Sequence, residues 1–219
     1  MPTRRSVLLA CLCLVASLVA APTRAQGTAD GLARAVQAHY QQVKDFTASF
    51  EQAYVGGALK RRTVEKGTVA IRKPGRMRWD YETPEKKLFV ADGTRMYFYV
   101  PADKQVRVSP MPDDGRVPTP ILFLAGRGDL LRDFTVEDVQ APAAGTRALR
   151  LRPVRKEPEY ETLTLVVDAT TLVMRQLVVV DGQGGTSTFT FTNLRENVGV
   201  AESRFSFSMP KGVDVITQD

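Results

Sequence analysis

Beyond residue 50 the apolar residues stop recurring every three or four positions and begin to alternate, and this change of period constrains the fold more than any other feature. It is clearest at 186–192, where Thr186, Thr188 and Thr190 alternate with Ser187, Phe189 and Phe191. Alternation sends one set of side chains to each face of a strand. Similar runs at 62–72, 76–82, 87–91, 95–100, 105–108, 134–138, 146–152, 159–167, 172–180 and 204–207 predict about eleven strands in all. Turn signals separate them at Pro74-Gly75, Asp92-Gly93, Pro101 to Asp103, Asp181-Gly182 and Gly184-Gly185, and such short connections favour antiparallel hairpins.

Ahead of these strands, Leu32, Ala35, Val36, Tyr40, Val43, Phe46 and Phe50 lay one greasy stripe along a helix predicted over 32–50, its last turn on the border of strand. Thr28 or Asp30 is the expected cap. A second, short apolar helix is predicted within 117–131, where Ile121, Leu122, Phe123 and Leu124 follow Pro118 and Pro120. Two apolar helices and one long sheet pack most economically as a curled, open barrel with the helices against its concave side. The expected fold class is therefore mainly β, an incomplete antiparallel barrel.

The N-terminus reads as an export signal. Arg4 and Arg5 precede an apolar run from Val7 to Ala21, and Thr23-Arg24-Ala25 supplies a small-residue cleavage site. Cleavage after Ala25 leaves residues 26–219 as one domain, and the run is too short for a comfortable membrane span. The leader holds both cysteines, Cys11 and Cys13, so no disulfide or thiol chemistry is expected in the mature chain. Losing Arg4, Arg5 and Arg24 also lowers the formal charge from +6 to +3, which argues against nucleic acid as a partner.

Catalytic chemistry finds no foothold. The only histidine is His39, on the predicted helix, so neither a metal cluster nor a Ser-His-Asp arrangement can be drawn around several residues. The acidic pairs, Asp113-Asp114 and Glu157 with Glu159 and Glu161, fall in loops or alternate as solvated charges, and no glycine pattern makes a phosphate cradle. No metal, no cofactor and no enzymatic activity are expected. What stands out instead is bulk. Met77, Trp79 and Tyr81 share one face of a strand, and Phe89, Tyr97, Tyr99, Phe189, Phe191, Phe205 and Phe207 add aromatic surface on others. A half-barrel lined this way suits irregular apolar ligands, because rings and thioethers adapt to varied shapes.

Taken in order, Phe46-Thr47-Ala48-Ser49-Phe50-Glu51-Gln52, Gly67, Lys73-Pro74-Gly75-Arg76-Met77-Arg78-Trp79, Asp92-Gly93, Tyr97-Phe98-Tyr99 with Pro101, Gln105-Val106, Thr119-Pro120, Phe205-Ser206-Phe207, Pro210 and Gly212-Val213-Asp214-Val215 carry a resemblance. The chain resembles the periplasmic outer-membrane lipoprotein carrier family, LolA. That resemblance implies an open β-barrel with an α-helical lid over an apolar cavity that receives lipoprotein acyl chains. It implies three partners: the lipoproteins, an inner-membrane ATP-driven exporter that loads the carrier, and an outer-membrane receptor that unloads it. A monomer is expected. The cavity residues it implies are Met77, Trp79, Tyr81, Phe89, Tyr97, Tyr99, Phe189 and Phe191, with Lys73, Leu32, Val36, Ile121, Leu122 and Leu124 as lid contacts. Two positions depart from the family pattern: Lys73 stands where an arginine usually contacts the lid, and Met77 where an aromatic is common. The alternative function is an envelope-stress sensor that binds lipidated proteins with a similar half-barrel, although such sensors usually carry a further domain.

Overall fold

The computed structural model describes residues 23–56, 61–111 and 128–217, the side chains of 23–28 excepted. Its first element is a helix, α1 (Thr23–Gln42). The strands are β1 (Asp45–Val55), β2 (Arg62–Arg72), β3 (Arg76–Thr83), β4 (Lys87–Asp92), β5 (Arg95–Val100), β6 (Gln105–Pro110), β7 (Phe134–Val139), β8 (Thr146–Pro153), β9 (Thr162–Asp168), β10 (Met174–Val180), β11 (Thr186–Glu196) and β12 (Asp214–Thr217). A one-turn helix, α2 (Leu130–Asp133), precedes β7, and a 3-10 turn spans Glu202–Phe205.

All twelve strands form one sheet in the order β12-β6-β5-β4-β3-β2-β1-β11-β10-β9-β8-β7. The edges β7 and β12 do not pair with each other, so the barrel is open, and every ladder is antiparallel except β12 on β6. One apolar cluster runs from Ala91 on β4 through Trp79, Ile71 and Phe50 to Phe134 on β7, which requires the sheet to curl around it. Helix α1 lies inside the curl, against its β7 and β8 side. Its stripe Ala29, Leu32, Ala33, Val36 and Tyr40 is buried, and α1 packs on β7, β8 and α2. Burying Leu32 and Val36 contributes about 2 kcal/mol each. None of the described helices is long and apolar enough to cross a membrane.

The outer face has its own cover. After β11 the chain turns back across β2, β3, β4 and β5, seating Val200 and Phe205 against Ala70 and Phe207 against Tyr97 and Tyr99. Arginines of the outer face also contact this strap: Arg72 donates to the Val200 carbonyl at 2.8 Å, Arg76 pairs with Glu202 at 2.7 Å and Arg78 donates to the Arg204 carbonyl at 3.5 Å.

Three sequence expectations change, and a fourth falls mostly outside the described residues. The first helix ends at Gln42, and Phe46, Ala48 and Phe50 belong to β1, because residues four apart satisfy a period of two as well as a helical turn. Helix α1 already includes Thr28 and Asp30, so neither caps it, and it runs across the expected cleavage point at Ala25. The run 204–207 is strap rather than strand, and the four-residue β12, too short to show a pattern, is an addition. Of the predicted second helix only its end, at Leu130, is visible; the remainder lies outside the described residues.

Candidate functional site

The ladders assign each strand residue to a face. Starting from Trp79, the register runs to Val69 and Ala48 on one side and to Phe89, Phe98 and Arg107 on the other, so these side chains share the inner face with α1. One row further along the strands come Phe50, Gly67, Tyr81 and Lys87, and then Gln52 and Glu65. On the far side of β1, Phe191 and Phe189 face Phe50 and Gln52, and Leu177 continues from Phe189.

Five aromatic rings converge there. Phe50 lies edge-on to Trp79 at 5.0 Å and to Tyr81 at 4.9 Å, and Trp79 lies edge-on to Phe189 at 5.7 Å and 6.3 Å from Phe191. Edge-to-face contacts match the positive rim of one ring to the negative face of the next. Met77, Phe191, Phe50 and Trp79 are buried in the cluster, while Tyr81, Phe89, Met96, Val179 and Phe189 pack on it partly buried. The second group forms an apolar wall on the same inner face.

The wall ends in polar pairs. The Tyr81 hydroxyl donates to Gln52 Oε1 at 3.0 Å, and Lys87 Nζ donates to Glu65 Oε1 while standing 5.7 Å from the Tyr81 ring centre. The side chains of Lys87 and Glu65 are only 25% and 19% exposed, so this pair is shielded rather than a free surface bridge. Burial, with the Glu65 charge adding to it, raises the Tyr81 phenol well above its ordinary pKa and keeps it a donor. Gly67 makes the row possible: a Cβ there would stand 1.9 Å from the Asp80 carbonyl oxygen.

At the other end of the sheet, Lys73 donates through Nζ to the Tyr40 carbonyl in the last turn of α1. Glu196 stands beside it and accepts from His39 Nε2 at 3.0 Å, and the Tyr40 hydroxyl accepts from the Met174 amide at 2.8 Å. Burial lowers the Lys73 ammonium below its ordinary pKa, with Glu196 acting against that shift. The helix C-terminus is thus held from three elements at once.

Of the residues expected to line a cavity, the register brings Met77, Trp79, Tyr81, Phe89, Phe189 and Phe191 to the inner face. It places Tyr97 and Tyr99 elsewhere. They alternate with Met96 and Phe98, which take the inner positions, and lie on the outer face under Phe207. In a strand whose residues Met96 to Val100 are all apolar or aromatic, no sequence signal distinguishes the faces. Phe50 was missed because it was assigned to the helix. Leu32 and Val36 lie on the buried stripe of α1 and Lys73 on its last turn, whereas Ile121, Leu122 and Leu124 lie outside the described residues.

An open sheet curled around a helix, with a partly buried aromatic wall beside it, defines a binding protein for apolar ligands. The family can be named. The family model described as outer membrane lipoprotein carrier protein LolA matches residues 41–208, and the chain belongs to that family. It is 31% identical over 206 residues to the outer-membrane lipoprotein carrier protein of Chromohalobacter salexigens, covering 93% of this chain and 95% of that one. It is 30% identical over 220 residues to the protein of the same description from Cupriavidus taiwanensis, covering 98% and 99%. Among solved structures, an uncharacterized conserved protein from Thermus thermophilus superposes with a TM-score of 0.54 at 13% identity, over 87% of this chain and 99% of that one, a likeness of fold alone. Membership of that family places the chain among lipoprotein carriers rather than enzymes.

Proposed function

We propose that residues 1–25 direct export and are removed, and that residues 26–219 act in the periplasm as a single-domain, monomeric carrier. It takes the acyl chains of lipoproteins released from the inner membrane by an ATP-driven exporter and hands them to an outer-membrane receptor. The observation that carries this reading is the partly buried wall of Tyr81, Phe89, Met96 and Phe189 around Trp79 on the inner face of an open sheet. Each CH₂ of an acyl chain costs about 0.8 kcal/mol to return to water, so crossing an aqueous compartment requires a shield. Ring and thioether contacts are non-directional and give shielding without a rigid lock, which favours handover.

Trp79 is the only tryptophan, so its fluorescence reports on the wall alone. A triacylated lipopeptide brominated along its chains should quench Trp79 on loading, and the unbrominated lipopeptide should restore the signal by competition. Quenching that needs no wall contact, persisting unchanged in Phe89→Ser and Phe189→Ser, overturns the site. Failure to take lipoproteins from inner-membrane vesicles overturns the function.

A further inference from the structure

The wall and its polar end describe a ligand with two chemically different parts. We propose, resting on the carrier reading above, that Glu65, Lys87, Gln52 and Tyr81 select the head group: the site takes acyl chains joined through neutral amide or ester linkages and refuses those ending in an anion.

The placement comes first. Tyr81 is two residues along β3 from Trp79, and Gln52 is two along β1 from Phe50, so the polar pairs begin one row, about 7 Å, beyond the centre of the aromatic wall. A chain lying against Trp79 and Phe89 brings its head group to this row. The four side chains lie on three adjacent strands and β4, at positions fixed by the same ladders that set the wall.

The hydrogen-bonding capacity is two-sided. Lys87 uses one of its three donors on Glu65, and Glu65 keeps acceptor sites after receiving it. Gln52 spends its carbonyl on Tyr81 and retains its amide donors. Carbonyl oxygens of an ester or amide therefore find donors, and an amide N–H finds an acceptor. Charge is balanced as well, one cation against one anion at contact distance. An entering carboxylate or phosphate would leave water for a shielded place where Glu65 cancels the attraction of Lys87. Neutral linkages suffer no such loss.

The test uses two amphiphiles with one hydrocarbon chain and different heads, lauramide and laurate, displacing the brominated probe from Trp79 at pH 8. The quantity read is the ratio of their displacing concentrations. Glu65→Gln leaves Lys87 without its counter-charge and should move the ratio about tenfold toward laurate; Lys87→Gln leaves Glu65 alone and should move it about tenfold away. Opposite shifts support the inference. Ratios within threefold of the unmodified chain, or a shift opposite to the one expected for the variant measured, overturn it. Either variant carries the test if the other does not fold. If neither amphiphile displaces the probe from the unmodified chain, the carrier reading has failed instead.

Discussion

Lys73 closes the last turn of α1 from outside the helix, its ammonium donating to the Tyr40 carbonyl. A helix C-terminus carries unsatisfied carbonyls and partial negative charge, and a cation there answers both. Lys73→Met should therefore destabilise the fold by about 1–2 kcal/mol, the low side of a charged hydrogen bond because burial already disfavours the ammonium. For a domain of this size that is a Tm lower by roughly 4 °C. Lys73→Arg should recover most of it. Thermal unfolding of both variants checks the pair, and equal losses would show that packing rather than the donated bond matters.

The neighbourhood of Lys73 also shows what sequence can and cannot reveal. The greasy alternation of Met77, Trp79 and Tyr81 was legible because Arg76, Arg78 and Asp80 mark the opposite face with charge. The same logic fails on β5, where Met96 to Tyr99 are large on both faces; only pairing with β4 and the strap over Tyr97 and Tyr99 decides which side is inner. It fails again at Phe46 and Phe50, whose spacing fits both periods. The strap itself and the Glu65–Lys87 pair join residues far apart in the chain, so no local pattern announces them.

Gly67 is required by close approach, not by an unusual turn. Its missing side chain would meet the Asp80 carbonyl oxygen at 1.9 Å and carbon at 2.9 Å, both backbone atoms paired into the β2–β3 ladder. Gly67→Ala should cost about 3 kcal/mol, the upper end for overpacking, because no rotamer change can relieve it. Urea unfolding should show a lower midpoint with an unchanged slope. A loss under 1 kcal/mol would mean that the two strands part easily here.

The strap supplies a contrast between burial and charge. Phe205 is 1% exposed against Ala70, so Phe205→Ala should cost about 3–5 kcal/mol. Arg76 pairs with a Glu202 side chain that is 64% exposed, so Arg76→Ala should cost less than about 1 kcal/mol. Denaturant titration of the two variants measures the difference directly. Similar losses would place the strap's hold in its arginines.

Acid should weaken the fold through the hairpin between β9 and β10. The Thr171 amide and the Arg175 guanidinium, with the Thr170 amide, bind the Asp168 carboxylate and hold its pKa well below the usual range; Arg132 does the same for Asp133. For a carboxylate whose folded pKa lies below its unfolded value of about 3.9, the unfolded chain binds more protons in the interval between the two. Stability from these groups is therefore complete above about pH 5 and is lost as pH falls toward the folded values. Asp168→Asn keeps an acceptor oxygen for the amides and removes the charge. Urea midpoints measured from about pH 7 down to about pH 2.5 should start lower in Asp168→Asn and fall less steeply, so that the two curves converge in acid. High salt should shrink the gap at neutral pH by screening the Arg175 pair that the Asn variant lacks. Curves that stay parallel throughout would remove Asp168 from the acid response.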